Sequence, residues 1–148
     1  MKTLKFKKLS PLAKQPEYKT SGSAGADLYS CFEKETDVII IKPNEIKKVP
    51  TGIILELPEG FEAQIRPRSG FSLKGITIPN SPGTVDSDYR GELIVIMQNL
   101  GTEDFKIEHS MRIAQVVIVP FFQFNFAEAD DISNTERGAS GFGSTGKK

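Results

Sequence analysis

The sequence Leu93-Ile94-Val95-Ile96-Met97, together with Ile113-Ala114-Gln115-Val116-Val117-Ile118-Val119, carries the strongest strand signal in the chain. Both runs are rich in β-branched residues, which favour strands over helices. Weaker strand signals occur at residues 3–7, 38–41, 53–57 and 61–65. Turn residues separate these segments at short intervals. Many short strands divided by turns predict an all-β domain, built as a sandwich, a barrel or a jelly roll.

No segment predicts a long helix, and short helical pieces are expected at most at residues 69–74 and 127–132. The composition changes after Asp131, where apolar residues give way to glycine and small polar residues. Such a composition cannot bury enough apolar surface to fold on its own. We therefore expect a compact β domain at residues 1–131 and a flexible arm at residues 132–148.

Length, charge and cysteine usage exclude several classes of protein. The chain has 148 residues and is expected to form a single core. Its formal net charge is zero, with 19 basic and 19 acidic residues, which argues against binding to nucleic acids or membranes through charge. The single cysteine, Cys31, excludes an internal disulfide and is typical of a reducing compartment.

The chain also carries no sign of membrane insertion or export. No apolar run approaches the ~20 residues that a membrane-spanning helix needs. The basic start at residues 1–8 is not followed by a long apolar stretch, so no signal peptide is expected. These features predict an intracellular, cytoplasmic protein.

Glycines alternate with functional side chains in residues 137–146. Arg137 carries a planar fork of donors that suits a phosphate, and the ring of Phe142 lies between glycines and can stack on a base. The hydroxyls and backbone N–H groups of Ser144 and Thr145 suit phosphate oxygens. The segment therefore indicates either a mobile lid over a nucleotide polyphosphate or an ordinary frayed terminus.

A second polar cluster occupies residues 83–91, shortly before the apolar run that begins at Leu93. Two acids, a tyrosine and an arginine lie between Gly83 and Gly91, in a length that fits a β-hairpin. Such a hairpin offers backbone groups to the edge of a base, and a carboxylate on its rim could act as a general base. A polar surface hairpin without catalysis is the alternative.

Three shorter segments offer further candidate residues. Arg66-Pro67-Arg68-Ser69-Gly70 places two arginines and a serine where a turn or helix begins, which is either an anion site or a solvated turn. Residues 24–28 form a small-residue turn that presents Asp27 at the start of a strand. Gln115 is polar within an apolar run, so it requires a hydrogen-bond partner if it is buried.

Five segments of the chain, in order, resemble the five motifs of the trimeric dUTPases. They are residues 24–28, 67–70, 83–91, 112–115 and 137–146. Each match is weak alone, but five in order with compatible spacing are specific. The resemblance implies a jelly-roll protomer in a homotrimer, with each active site built from motifs of all three chains. It also implies Mg²⁺-dependent hydrolysis of dUTP to dUMP and pyrophosphate, which keeps uracil out of DNA and supplies dUMP for thymidylate synthesis.

The resemblance implies roles for individual residues. Asp86 matches the general base that deprotonates the water attacking the α-phosphorus, and Arg137 matches a residue that reaches the terminal phosphate when the arm closes. Asp27 matches the residue that holds a metal-bound water, so it would not ligate Mg²⁺ directly. Tyr89 matches the residue that packs on the deoxyribose and leaves no room for a 2′-hydroxyl. Phe142 would stack on the uracil.

The resemblance implies further contacts for each part of the nucleotide. The phosphates would be bound by Arg68, Ser69, Gly70 and Gln115. The uracil would be recognised by Asn80 and by the backbone around Gly83 and Val85. The arm would add Gly143, Ser144 and Thr145.

Other conspicuous residues are expected to be structural. Cys31 fits a small buried side chain, and His109 fits a polar surface turn. The aromatic segment at residues 121–126 is expected in the core or at a subunit interface. Arg112 and Asp88 are expected to form ion pairs that fix loops.

Two other classes of function are open at this point. One is a dCTP deaminase of the same fold, which would place a glutamate beside the base, where this chain has Asp86-Ser87-Asp88-Tyr89. The other is a non-catalytic jelly-roll module that binds a nucleotide as a signal or docks on a protein partner. Arg137 argues against the second class, because pure binding would not need that side chain.

Overall fold

A computed structural model describes residues 3–141 of the chain. In this part of the chain the backbone forms eleven strands and one short helix. The strands are β1 (Lys5–Lys8), β2 (Ala26–Tyr29), β3 (Val38–Ile41), β4 (Ile46–Pro50), β5 (Ile53–Glu56), β6 (Phe61–Arg66), β7 (Ile76–Thr77), β8 (Gly83–Val85), β9 (Ile94–Asn99), β10 (Phe105–Glu108) and β11 (Arg112–Pro120). The helix α1 (Ser69–Ser72) lies between β6 and β7.

The strands pair antiparallel, and the largest sheet positions the candidate site residues. Its strand order is β2-β11-β6-β8. A three-stranded sheet has the order β4-β9-β7, and two further pairs join β1 to β5 and β10 to β3. Most neighbouring strands are far apart in sequence, so the chain crosses repeatedly between sheets, as it does in a jelly roll. The predicted all-β, jelly-roll fold is confirmed.

Aliphatic side chains from the strands fill the core. In β9, Val95 and Met97 are buried while Ile94 faces solvent, which is the alternation of a strand with one covered face. Ile41 of β3 and Ile107 of β10 are completely buried. Within residues 3–141, no buried side-chain nitrogen or oxygen lacks a hydrogen-bond partner. The core therefore holds its few polar groups without an unsatisfied donor or acceptor.

The strongest sequence signals correspond to strands, with small shifts at their ends. The two apolar runs are β9 and β11, and α1 confirms the short helix expected after Arg68. The strands β4, β7 and β10 are not evident in the sequence. They are short or contain charged residues, and they depend on pairing with β9 or β3.

Two local predictions are wrong. Residues 127–132 form no helix, since this exposed polar segment has no surface on which to pack one. Residues 83–91 do not form a β-hairpin, because β8 pairs with β6 whereas β9 pairs with β4 and β7. The backbone N–H of Leu93 already donates to the carbonyl of Ile53, at 2.8 Å, and this contact directs the chain away from β8.

Within the described residues, the last strand ends at Pro120. Residues 121–141 contain no strand or helix. The side chains of Phe122, Phe124 and Phe126 are 83%, 78% and 102% exposed. These rings are therefore not part of the core, which was one of the two places expected for them.

Cys31 lies shortly after β2, and His109 lies directly after β10. Cys31 is buried, as expected. His109 is half-buried rather than fully exposed, because its Nδ1 accepts a hydrogen bond from the backbone N–H of Phe32 at 3.1 Å. The two rings also pack edge to face, with centroids 6.1 Å apart. The histidine therefore has a structural partner.

Candidate active site

One end of the largest sheet carries residues from three of the predicted segments in a single row. Gln115 of β11 lies opposite Asp27 of β2 on one side and opposite Arg66 of β6 on the other. Neighbouring strands are about 4.8 Å apart, so strand pairing alone holds these residues side by side. Arg68 follows directly after β6 at the same end of the sheet.

The carboxylate of Asp27 is the charged centre of this row. Its Oδ2 lies 3.2 Å from Nη1 of Arg112, and its Oδ1 lies 3.5 Å from Nε of Arg68. Asp27 is only 8% exposed, so an unpaired charge there would be costly. Arg68 is held a second time, since its Nη1 donates to the backbone carbonyl of Arg112 at 3.0 Å. Two guanidinium groups are therefore fixed side by side.

These residues line a polar cavity of about 240 Å³, which we call the cationic cavity. Its lining residues are Lys19, Ser23, Gly25, Asp27, Arg68, Ser69, Gly70, Arg112 and Gln115. Three cationic side chains face one carboxylate, so the cavity carries a net positive charge. Such a surface suits a polyanion, and paired guanidinium groups suit phosphate oxygens.

A glycine makes room for the amide of Gln115 at the wall of the cationic cavity. A Cβ atom at Gly25 would lie 2.6 Å from Oε1 of Gln115. The side chain of Gln115 therefore lies over the bare backbone of Gly25. The half-buried amide is in this way directed into the cavity rather than into the apolar core.

Lys19 reaches the cationic cavity from the segment before β2. The backbone of Glu17 pairs with that of Asp27, and the Glu17 carboxylate binds Lys19 and accepts a hydrogen bond from the hydroxyl of Tyr29 at 2.9 Å. The hydrogen bonds from Lys19 and Tyr29 lower the pKa of Glu17. In turn, the hydrogen bonds to Glu17 and then Tyr29 raise the pKa of Lys19. Lys19 is therefore a cation throughout the physiological pH range.

A second cavity, of about 180 Å³, lies between β8 and the start of β9. We call it the nucleoside cavity, because the resemblance implies that Val85 and Tyr89, which line it, contact the uracil and the deoxyribose. Its lining residues are Ile65, Thr84, Val85, Asp86, Tyr89, Glu92, Leu93, Ile94 and Val95. The lining is mainly aliphatic and aromatic, with two acidic side chains. The two cavities share no lining residue, so the described chain presents them as separate surfaces.

The loop that carries Asp86 and Tyr89 is held by its own hydrogen bonds. The backbone N–H of Tyr89 donates to the carbonyl of Asp86 at 3.2 Å, and Nη1 of Arg90 donates to the carbonyls of Ser87 and Tyr89 at 2.7 and 2.9 Å. The hydroxyl of Tyr89 donates to the carbonyl of Glu92 at 3.1 Å. These bonds order the loop while the Tyr89 ring remains 46% exposed and Asp86 lies at the surface.

The structure brings most of the predicted site residues to one of these two cavities. The cationic cavity includes Asp27, Arg68, Ser69, Gly70 and Gln115. The nucleoside cavity includes Val85, Asp86 and Tyr89. Gly83 is the first residue of β8, and a Cβ atom there would lie 3.0 Å from Nδ2 of Asn80, so these two predicted residues lie together beside the nucleoside cavity.

Of the predicted arm residues, Arg137 is described by the structure, and it lines neither cavity. Arg137 is exposed, and its Nε donates to the backbone carbonyl of Ser140 at 3.0 Å. Phe142, Gly143, Ser144 and Thr145 lie outside the described residues. The roles of the arm therefore stay predictions.

Sequence reasoning missed several residues that line the cavities. Lys19 and Ser23 lie in a polar segment without a strand pattern, and only the pairing of Glu17 with Asp27 brings Lys19 to the site. Glu92 lines the nucleoside cavity, and its one sequence signal is its position directly after Gly91.

The ion pair expected of Arg112 is confirmed, with Asp27 as its partner. Within residues 3–141, Asp88 has no ion-pair partner.

Known proteins resemble this chain over nearly its whole length. The sequence model of the dUTPase family matches residues 12–146. The deoxyuridine 5′-triphosphate nucleotidohydrolase of Treponema denticola is 60% identical over 142 residues, which cover 95% of this chain and 96% of that protein. The protein of the same name from Hydrogenobaculum sp. is 54% identical over 146 residues, which cover 98% and 99% of the two chains.

Solved structures agree with the sequence matches. The dUTPase of Staphylococcus bacteriophage 80alpha, solved with dUpNHpp, superimposes with a TM-score of 0.88 at 28% identity, covering 99% of both chains.

Within residues 3–141, no helix has the length and apolar character to cross a membrane. By its motifs, fold and relatives, the chain belongs to the dUTPase family of dUTP nucleotidohydrolases.

Proposed function

We propose that this enzyme hydrolyses dUTP to dUMP and pyrophosphate with Mg²⁺ as cofactor, and that Asp86 is the general base. The observation that carries the proposal is the pair of cavities, one cationic around Asp27 and one mainly apolar beside Asp86 and Tyr89. The first suits a triphosphate, and the second suits a nucleoside together with an attacking water.

In this proposal, Asp86 is the residue that activates water. Its carboxylate is exposed at the rim of the nucleoside cavity, on a loop that is ordered by its own hydrogen bonds. The carboxylate takes a proton from water while the water oxygen attacks the α-phosphorus. The bond between the α-phosphorus and the bridging oxygen then breaks, and pyrophosphate leaves. Reactions of this kind depend mainly on positioning and on neutralisation of charge.

Arg68, Ser69, Gly70 and Gln115 bind the phosphate chain. The guanidinium of Arg68 is already fixed by Asp27 and by the carbonyl of Arg112, so little side-chain freedom is lost when a phosphate binds. Arg137 adds a further guanidinium at the terminal phosphate when the arm closes. Gly143, Ser144 and Thr145 add backbone and hydroxyl donors.

The donor set of the cationic cavity fits a magnesium ion that arrives bound to the triphosphate. Among the described residues, no cluster of three or more Asp, Glu, His or Cys side chains could hold a metal by itself. Both oxygens of Asp27 face arginines, so Asp27 would hold a water of the ion rather than the ion. Mg²⁺ in proteins usually keeps several waters and binds substrate phosphates. When bound, it neutralises charge on the phosphates.

Selection of the base and the sugar depends on the nucleoside cavity. Asn80 and the backbone of Gly83 and Val85 recognise uracil, and Phe142 stacks on it. Cytosine presents a donor where uracil presents an acceptor, and a buried mismatch of this kind can reject a substrate by about 10⁴–10⁵. The ring of Tyr89 packs on the deoxyribose and excludes a 2′-hydroxyl.

We also propose a homotrimer in which each site combines cavities from different subunits. Two observations support it. The cavities of one chain share no residue, and three large aromatic side chains, Phe122, Phe124 and Phe126, are exposed close together in sequence. In this assembly residues 1–131 form the catalytic domain and residues 132–148 form the lid.

The reaction has two consequences for the cell. Removal of dUTP keeps uracil out of DNA, and the product dUMP supplies thymidylate synthesis. Because nucleotide precursors of DNA are made inside cells, we propose an intracellular, cytoplasmic enzyme.

Pyrophosphate release from dUTP, UTP, dTTP and dCTP, with Mg²⁺ and with EDTA, tests the reaction. We expect rapid release from dUTP alone, loss of release with EDTA, and no deaminated product. Similar rates with all four nucleotides would contradict the proposed recognition of base and sugar. Full activity in EDTA would contradict the role of Mg²⁺.

Mixing inactive subunits tests whether the site is shared. Asp86→Asn and Arg68→Ala damage different cavities, so co-refolding the two variants should restore part of the activity if one site uses both chains. Recovery would be absent if each chain held a complete site.

Deletion of residues 137–148 tests the lid. It should leave the assembly intact and remove most activity; a truncated enzyme with full turnover would contradict the lid.

A further inference from the structure

Glu92 connects the loop of Tyr89 to the interior of the fold through two different groups. Its side-chain Oε1 accepts a hydrogen bond from the backbone N–H of Gly52 at 2.7 Å. Its backbone carbonyl accepts a hydrogen bond from the hydroxyl of Tyr89 at 3.1 Å. One residue thus bonds to the interior through its side chain and to the exposed ring through its backbone.

The interior end of this connection is rigid. Gly52 is buried and has φ +67°, and a Cβ atom there would lie 2.9 Å from Cβ of Ala13 and 3.0 Å from Sγ of Cys31. The carbonyl of Gly52 accepts a hydrogen bond from the N–H of Leu9 at 2.8 Å. The N–H that Glu92 binds is therefore fixed by packing on one side and by a second hydrogen bond on the other.

The exposed end of the connection has little freedom as well. A Cβ atom at Gly91 would lie 2.2 Å from the hydroxyl oxygen of Tyr89, so the end of the ring rests on bare backbone. The hydroxyl of Tyr89 is bound to the carbonyl of Glu92, and the ring contacts Gly91. The ring can therefore move toward the backbone of residues 91–92 only if that backbone also moves. The hydrogen bond from Gly52 to the Glu92 carboxylate opposes that movement.

We propose that Glu92 is a positioning residue for the selection of deoxyribose over ribose. Its carboxylate fixes residues 89–92 against Gly52, and this holds the Tyr89 ring where it closes the space that a 2′-hydroxyl would need. The inference rests on the proposed function, in which Tyr89 packs on the sugar. Displacements of about 1 Å at a positioning group are enough to change rates by large factors.

The test compares kcat/KM for dUTP and UTP in Glu92→Ala and Glu92→Gln. We expect Glu92→Ala to lower the dUTP/UTP ratio about fivefold, which is the order expected when one ordinary hydrogen bond is lost. Glu92→Gln should stay near the wild-type ratio, because its amide oxygen accepts the same bond. If Glu92→Ala fails to fold, Glu92→Asp replaces it, since it keeps the charge but shortens the reach to Gly52.

A matched control separates positioning from general stability. Glu45 also binds a backbone N–H through its carboxylate, that of Lys42 at 3.0 Å, and it lines neither cavity. Glu45→Ala should leave the dUTP/UTP ratio unchanged. A lower melting temperature of Glu92→Ala with an unchanged ratio would overturn the proposal. Equal loss in Glu92→Gln and Glu92→Ala would also overturn it, because the charge itself would then be acting.

A double-mutant cycle tests whether Glu92 acts through Tyr89. Tyr89→Phe removes the hydroxyl that binds Glu92, so the effect of Glu92→Ala on the ratio should shrink in that background. Additive effects would overturn the proposal. The wild-type ratio tests the proposed function separately: a wild-type enzyme that uses dUTP and UTP equally contradicts the sugar gate before any variant is compared.

Discussion

Arg112 and Asp27 are 85 positions apart in the chain, yet Nη1 of the arginine lies 3.2 Å from Oδ2 of the aspartate. The pairing of β11 with β2 brings them together. The same carboxylate faces Arg68, so one buried charge orders two cations that line the cationic cavity.

Asp27→Asn should impair catalysis without preventing folding. Asparagine keeps the size of the side chain but removes the charge that holds both guanidinium groups. A hydrogen bond to a charged group contributes about 1.5–3 kcal/mol, so we expect kcat/KM for dUTP to fall by roughly 10- to 100-fold. Glu56→Gln is the control, because it breaks an exposed ion pair with Lys5 and should have no effect. Equal activity in both variants would contradict the ordering role of Asp27.

Gly25→Ala should act on the enzyme through Gln115. The new Cβ atom would lie 2.6 Å from Oε1 of Gln115, and the end of that side chain would have to leave its position. We expect kcat/KM to fall about as far as in Gln115→Ala, with no further loss in the double variant. Gly22→Ala serves as the control, since nothing lies within 4 Å of its Cβ position. A large additional loss in the double variant would show that Gly25 acts by another route.

Lys19→Ala should weaken the binding of dUTP more than it slows the chemistry. Lys19 adds one positive charge at an exposed wall of the cationic cavity, where attraction is modest and screened by salt. We expect KM to rise about threefold at low salt, with a smaller difference at high salt. Lys19→Arg should retain the wild-type KM. A change that is independent of salt would indicate a structural effect.

Asp86→Asn should keep the binding of dUTP and lose its hydrolysis. The amide cannot take a proton from water, and removal of a general base typically costs a factor of about 10²–10⁴ in rate. Calorimetry would measure the affinity, and single-turnover kinetics would measure the chemical step. Asp88→Asn, an exposed neighbour that lines neither cavity, should behave as the wild type. Loss of dUTP binding would instead make Asp86 a substrate-positioning group.

Cys31 should react slowly with alkylating reagents near neutral pH. Burial is the largest cause that raises the pKa of its thiol above the ordinary value of 9.0, and the Glu92 carboxylate acts in the same direction, while a hydrogen bond with Ser10 opposes them. A raised pKa keeps the group as a thiol at neutral pH, so little reactive thiolate is present. Iodoacetamide should label the native enzyme much more slowly than the urea-unfolded chain. Equal rates would contradict the burial of Cys31.

Strands with continuous β-branched runs could be predicted from the sequence, and pairings between distant strands could not. Residues 83–91 have the length and turn residues of a hairpin, but β8 pairs with β6, and the next strand, β9, pairs with β4 and β7. Local turn chemistry does not specify which distant strand offers a free edge.

The motif residues of the two cavities could be predicted from the sequence, because their side chains suit phosphates and bases. Lys19 could not, since its place depends on the bridge between Glu17 and Asp27.

The contact between Gly91 and the Tyr89 hydroxyl limits the mutations that this gene can accept. Every missense change of a glycine codon adds a Cβ atom, and at position 91 that atom would lie 2.2 Å from the tyrosine oxygen. No amino-acid replacement at position 91 therefore preserves the position of the ring. Position 22 has open space and should accept many replacements. In a random mutant library expressed in cells that need dUTP hydrolysis for growth, the surviving clones should vary at position 22 and retain glycine at position 91.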